Sequence, residues 1–174
     1  MEKIASFVGL PLQWDRTSLF KAEYELKSGE ALVATLRFRS IWGTFATAQS
    51  ADGCWTFKRV GFWQTRATIR PCDSEAEIAT FKNNTWSEGG TLLFPDGRRY
   101  PANTNFWQTQ YEFQTEAEDS LIHYRNRGLF RSSAEVTIFP KAQELPELPW
   151  MVMLGWYLII MIQNDSADAA VVAT

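Results

Sequence analysis

Between Pro11 and Pro140 the chain alternates apolar and polar residues with a period of two, in short runs broken by turn residues, the pattern of strands with one buried face. About twelve runs are legible, near residues 12–15, 20–26, 31–38, 44–50, 54–60, 66–70, 75–81, 91–94, 98–100, 110–113, 121–124 and 134–139. Asp52-Gly53 and Asp96-Gly97 each sit between two runs, and such pairs favour tight hairpins because the turn needs positive φ. The pattern then changes: Leu148 to Ile162, LPWMVMLGWYLIIMI, is apolar on every side and carries no charge.

The two hairpins expose a repeat. Gly53–Thr65 reads GCWTFKRVGFWQT and Gly97–Thr109 reads GRRYPANTNFWQT, and the shared Phe-Trp-Gln-Thr suits a packing role that recurs with the geometry. Val33-Ala34-Thr35-Leu36-Arg37 likewise matches Ile78-Ala79-Thr80-Phe81-Lys82, with Leu121-Ile122-His123-Tyr124-Arg125 as a worn third copy. A unit of four strands occurring three times is too few blades for a propeller, and closes better as one antiparallel barrel without exposed edges. A barrel that wide cannot fill its lumen with its own side chains.

The apolar stretch meets that need. As a helix it extends about 22 Å, short of the roughly 30 Å of a bilayer's hydrocarbon core, and no cluster of Lys or Arg flanks it. The expected fold is mainly β: a single domain over residues 1–174, with about twelve antiparallel strands over 11–140 closed around a central apolar C-terminal helix. A linker at 141–147 leads into that helix at 148–163, where Asn164-Asp165 reads as a stop, and 164–174 forms a loose tail. A tail anchor at 148–162 is the competing reading.

Composition changes little. A hydrophobic content of 45%, 14% aromatic residues and a net charge of -3 describe a globular chain without a global field for nucleic acid. Cys54 and Cys72 have neither a second pair nor His at ligand spacing, so they read as two ordinary thiols, with no metal and no cofactor implied. The N-terminal MEKIASFVGLPLQW is too short and too broken by Pro11 for a signal peptide, which makes the cytoplasm the default location.

The strand runs, the AEVTIFP of Ala134–Pro140, the linker KAQELPELP and the helix MVMLGWYLIIMI together resemble the tubby C-terminal-like superfamily, which includes phospholipid scramblases and LURP-one-related proteins. That resemblance implies a barrel threaded by its last helix and a role at phospholipid headgroups. The scramblase pattern of acidic residues linked to calcium is not matched, since the segment offers only Glu135, with Glu144 and Glu147 in the linker.

Catalytic residues are not evident. His123 is the only histidine and takes a repeat position filled elsewhere by Thr35 or Thr80, which suits a strand residue better than a general base. No nucleophile elbow, phosphate loop or dinucleotide fingerprint occurs, so a non-enzymatic protein is expected. With Leu36, Phe81 and Tyr124 inward, Arg37, Lys82 and Arg125 face outward. Basic residues concentrate at Lys58-Arg59, Arg98-Arg99 and Arg125–Arg131, RNRGLFR. Arg98, Arg99, Arg125, Arg127 and Arg131 are therefore the headgroup candidates, and Leu129 and Phe130 the candidate membrane wedge. Arg99 aligns with Trp55, so preserved facing would point it toward the barrel interior or its rim, and a rim arginine with its head in solvent or paired with an acid is the favoured reading. The leading expectation is a barrel binding anionic phospholipid at a membrane periphery. A soluble scaffold for an unknown protein partner is the alternative.

Overall fold

The computed structural model describes residues 1–61, 65–84, 89–105, 107–127 and 132–173. Twelve strands run in chain order: β1 Leu12–Arg16, β2 Glu23–Ser28, β3 Ala31–Phe38, β4 Ala46–Ser50, β5 Gly53–Val60, β6 Arg66–Pro71, β7 Ala79–Asn83, β8 Gly89–Leu93, β9 Arg99–Thr104, β10 Gln110–Gln114, β11 Ser120–Arg127 and β12 Ser133–Ile138. Each pairs antiparallel with its chain neighbours, and β12 returns to β1, so the sheet closes and leaves no edge. The helix α1, Leu148–Val172, fills the lumen.

Packing explains why the helix fits. Buried alanines on the strands, Ala34, Ala46, Ala48, Ala67, Ala102 and Ala134, leave room for the bulky Trp150, Trp156 and Tyr157 of α1. Trp14 stacks on Trp156 at 6.2 Å and Phe38 on Tyr157 at 5.6 Å between ring centroids. From Trp150 to Met161 every residue of α1 is buried, so the helix is apolar all round because it is surrounded by wall. Among the described residues no helix is long and apolar enough to cross a membrane.

Because the barrel is up-and-down, its two ends differ. The helix enters at the end holding the β2–β3, β4–β5, β6–β7, β8–β9 and β10–β11 connections, which a 3-10 turn at Ile4–Phe7 also covers with its buried Ile4 and Phe7. It leaves at the end holding the β1–β2, β3–β4, β5–β6, β7–β8, β9–β10 and β11–β12 connections. These are the entry and exit ends below.

Three expectations are corrected. Cys54 and Cys72 are not thiols but a disulfide. The β5–β6 ladder that pairs Trp55 with Pro71 carries on by one step, where the Cys72 amide donates to the Cys54 carbonyl at 3.0 Å and the Cα atoms lie 5.4 Å apart.

The helix does not stop at Asn164-Asp165 but runs on to Val172, so residues 164–172 are exposed helix and not a loose tail. Ala167, Ala169 and Ala170 favour helix strongly enough to carry it beyond the barrel wall.

The third correction concerns the repeat. β4 and β5 turn through two residues, Ala51 and Asp52, since Ser50 pairs with Gly53. β8 and β9 turn through three, Pro95 to Gly97: the Phe94 amide donates to the Arg98 carbonyl and the Phe94 carbonyl accepts from the Gly97 amide, both at 3.0 Å. That one extra residue reverses the facing along β9 relative to β5, so Phe57 is buried while Tyr100 and Ala102, not Pro101, turn inward; in the next strands Ala67 and Tyr111 face inward alike. Arg99 therefore does not share the facing of Trp55 but lies at the rim paired with the acid Glu116, as the favoured reading has it.

Candidate functional site

The sequence-derived arginines are not brought together. Arg98 closes the β8–β9 connection and Arg99 begins β9 at the entry end, whereas Arg125 and Arg127 lie on the outer wall of β11 toward the exit end. Each holds a carboxylate. Arg98 bonds Asp96 through Nε at 2.8 Å and the buried Glu147 through Nη1 at 2.6 Å, a carboxylate that also accepts the Tyr100 hydroxyl at 2.8 Å. Arg99 pairs with Glu116 at 2.8 Å. Arg125 and Arg127 share Glu135, whose carboxyl is held below its ordinary range first by the Arg125 hydrogen bond. Arg131, Leu129 and Phe130 lie outside the described residues.

The exit end carries features that the sequence reading did not single out. The β1–β2 connection presents Leu19 and Phe20, 84% and 87% exposed, and the β3–β4 connection presents Ile41 and Trp42, the latter 91% exposed. Trp107 in the β9–β10 connection and Val171 and Val172 on the emerging helix are exposed at the same end. Of the large exposed apolar side chains among the described residues, only Met1 and Leu10 belong to the entry end.

These tips are braced. Arg16 donates to the carbonyls of Lys21 and Leu19 at 3.2 and 3.3 Å, and the Phe20 amide donates to Ser18 Oγ at 3.2 Å. The neighbouring connection is closed by Arg39 N to Phe45 O at 2.9 Å and Gly43 N to Ser40 O at 3.2 Å, with the Arg39 guanidinium 4.5 Å over the Phe45 ring. The loops thus hold apolar side chains in solvent by local polar bonds, at the cost of keeping that surface wet.

Charge is divided in the same sense. Around the exit end, Lys21, Arg37, Arg39, Arg66 and Lys82 form no ion pair with a described residue, whereas the entry connections carry Glu30, Asp73, Glu75, Glu77, Asp96, Glu116, Glu118 and Asp119.

Below this rim, a cavity of about 520 Å³ curves round the helix where it leaves the wall. Ala67, Tyr157, Leu158, Met161 and Ile162 give it apolar sides, while Thr65, Asn83, Gln108 and Ser166 supply neutral polar groups. Its two charged lining residues neutralise each other: Arg59 Nη1 grips both oxygens of Asp165 at 2.9 and 2.7 Å. Tyr111 also lines it, and its buried Oη has no hydrogen-bond partner among the described residues. Burial pushes that phenol far above its ordinary pKa.

No set of described His, Cys, Asp or Glu side chains is grouped to hold a metal ion. Neither family models, curated proteins nor solved structures give a match to this chain.

Proposed function

We propose that the protein binds the surface of an anionic membrane with its exit end. The observation that carries this reading is the segregation of Leu19, Phe20, Ile41, Trp42 and Trp107 to one end of a barrel whose opposite end is acidic. Separate bulky tips spaced round a ring suit a fluid interface, where each side chain sinks independently, and Trp is at home there because its ring is apolar and its N–H is not. Lys21, Arg39, Arg66 and Lys82, which form no ion pair with a described residue, add attraction to anionic headgroups, about 1 kcal/mol for each cation near the surface. The acidic entry end is repelled, which fixes the orientation.

The barrel around a C-terminal helix supports the tubby-like resemblance, which also implies headgroup binding. Within this reading Arg125 and Arg127 act second, since a lipid phosphate must displace Glu135 to reach them. Peripheral attachment to an anionic leaflet is the location this proposal favours, the cytoplasmic leaflet where the Cys54–Cys72 bond is reduced.

Flotation with phosphatidylcholine vesicles containing phosphatidylserine tests it. The wild type is expected to float with the vesicles at low salt and less at high salt. Joint replacement F20D and W42D should leave the protein in the bottom fraction with an unchanged melting curve. Wild-type protein that stays at the bottom at low salt, or a double variant that floats as well as wild type, would overturn the reading.

A further inference from the structure

We propose that the cavity beside the emerging helix binds an uncharged amphiphile with one long acyl chain. Its volume of about 520 Å³ falls in the range of ligand pockets, about 300–1,000 Å³, and it opens at the end of the barrel that bears the exposed apolar tips. The inference goes beyond surface attachment and does not need it, because a monomeric ligand in free solution can reach the same opening.

The class of ligand follows from the lining. Leu158, Met161 and Ile162 offer a surface to a hydrocarbon chain. A second charge is unwelcome there: Arg59 and Asp165 already cancel, and burying an ionic head without a partner costs far more than burying a neutral one. Among neutral groups the Tyr111 hydroxyl stands out, since it is buried, lines the cavity and has no partner among the described residues. A small recess of about 10 Å³ adjoins it, lined by Tyr111 and by Gln163, whose Nε2 is also buried without a described partner. Buried donors of this kind are normally satisfied, and a head that accepts hydrogen bonds, such as an ester or a hydroxyl, satisfies them. The structure therefore favours a monoacylglycerol-like molecule over a fatty carboxylate or a phosphorylated lipid.

The purified full chain is titrated calorimetrically with 1-lauroylglycerol below its micellar concentration, and separately with laurate at pH 8. Saturable one-to-one binding of the glyceride, at least tenfold tighter than laurate, is expected. S166W, on the exposed stretch of α1 that lines the opening, should abolish binding while the protein melts as wild type. Y111F keeps the ring and removes the unpartnered hydroxyl, so it should weaken the glyceride about 3–10-fold without lowering the melting temperature.

Laurate binding as tightly as the glyceride overturns the neutral-head assignment. Absence of saturable binding, or equal affinity in S166W, overturns the site. A Y111F protein with wild-type affinity overturns the role of the hydroxyl. Vesicle flotation is read independently, so the loss of one proposal leaves the other standing.

Discussion

Tyr124 occupies the space that a side chain at Gly155 would need. A Cβ built on Gly155 would lie 2.3 Å from both Cζ and Oη of Tyr124, whose hydroxyl reaches past it to donate to the Val152 carbonyl at 2.8 Å. The helix thus bears a notch where the β11 wall presses on it, and the notch sets the rotation and depth of α1 in the lumen. Replacing Gly155 by Ala separates two opposing effects. In an exposed helix the change would stabilise by about 1 kcal/mol, whereas in this notch overpacking costs about 1–3 kcal/mol or more. Packing should win, and thermal melting of G155A should show a net loss; a stabilised variant would mean that α1 is not seated as described.

At the entry end the helix is held by charge. Glu147, 3% exposed, immediately precedes Leu148 and accepts from both Arg98 and Tyr100. Removing Arg98 leaves a buried carboxylate with one neutral partner. Breaking a buried pair costs about 3–5 kcal/mol, and because Arg98 is 46% exposed the expected loss for R98A is nearer about 2 kcal/mol. Chemical denaturation should also show that E147Q loses less than R98A, since the amide can still accept from Tyr100 and leaves no buried charge. Equal stability of R98A and wild type would show that the pair does not hold the helix.

How far the residues themselves disclose this structure depends on the range of the interaction. The strand ladder is legible because alternation and Asp-Gly turns are local, and the central helix because an uncharged apolar run has no other place in a closed barrel. The facing of β9 is not, because it turns on a single residue between a two-residue and a three-residue hairpin, which shifts Arg99 from the position of Trp55 to the outer rim. The headgroup arginines look free in the sequence because Glu116, Glu135 and Glu147 reach them only after folding. Phe20 reads as the first residue of a strand, yet Ser18 and Arg16 fold it into a turn tip through bonds to backbone atoms that no residue pattern displays. Tyr111 falls in the strand run at 110–113 with nothing in the residue pattern to single it out, and only the lack of a partner among the described residues does so.

The disulfide offers a third prediction. Cys54 and Cys72 are 18 residues apart, and closing a loop of that size restrains the unfolded chain by about 3 kcal/mol in the chain-entropy account. Cys72 is exposed on the outer wall, so a reductant reaches the bond without unfolding the barrel. Reduced protein, and the double variant C54S C72S, should both remain folded at room temperature and melt lower than the oxidised protein. Such bonds are rare in the cytosol, so the oxidised and reduced melting points also bracket the stability available in each compartment. Identical melting before and after reduction would mean that the bond does not restrain the unfolded chain.

The last prediction concerns pH. Burial raises the phenols of Tyr111, Tyr124 and Tyr157 above the ordinary value near 10. A group whose folded pKa exceeds its unfolded one contributes stability that is fully present below the unfolded value and is lost as pH rises toward the folded one. Stability should therefore fall steeply above pH of about 10. Buried tyrosinate should appear only together with unfolding, read as phenolate absorbance against circular dichroism.

At the acid side Asp119 and Glu135 are held below their ordinary range by Lys141 and by Arg125, so their contribution is present above about pH 4 and disappears below it. Both are only partly buried, and solvent screening should keep the acid limb shallow beside the alkaline one. Y124F removes one of the buried phenols, and with it the bond to Val152 worth about 1 kcal/mol, so it should be less stable at neutral pH yet lose less on going from neutral to alkaline solution. Y111F removes a phenol that has no described partner, so it should flatten the alkaline limb without the neutral loss. If both variants keep the wild-type alkaline slope, the buried phenols are not what the base attacks.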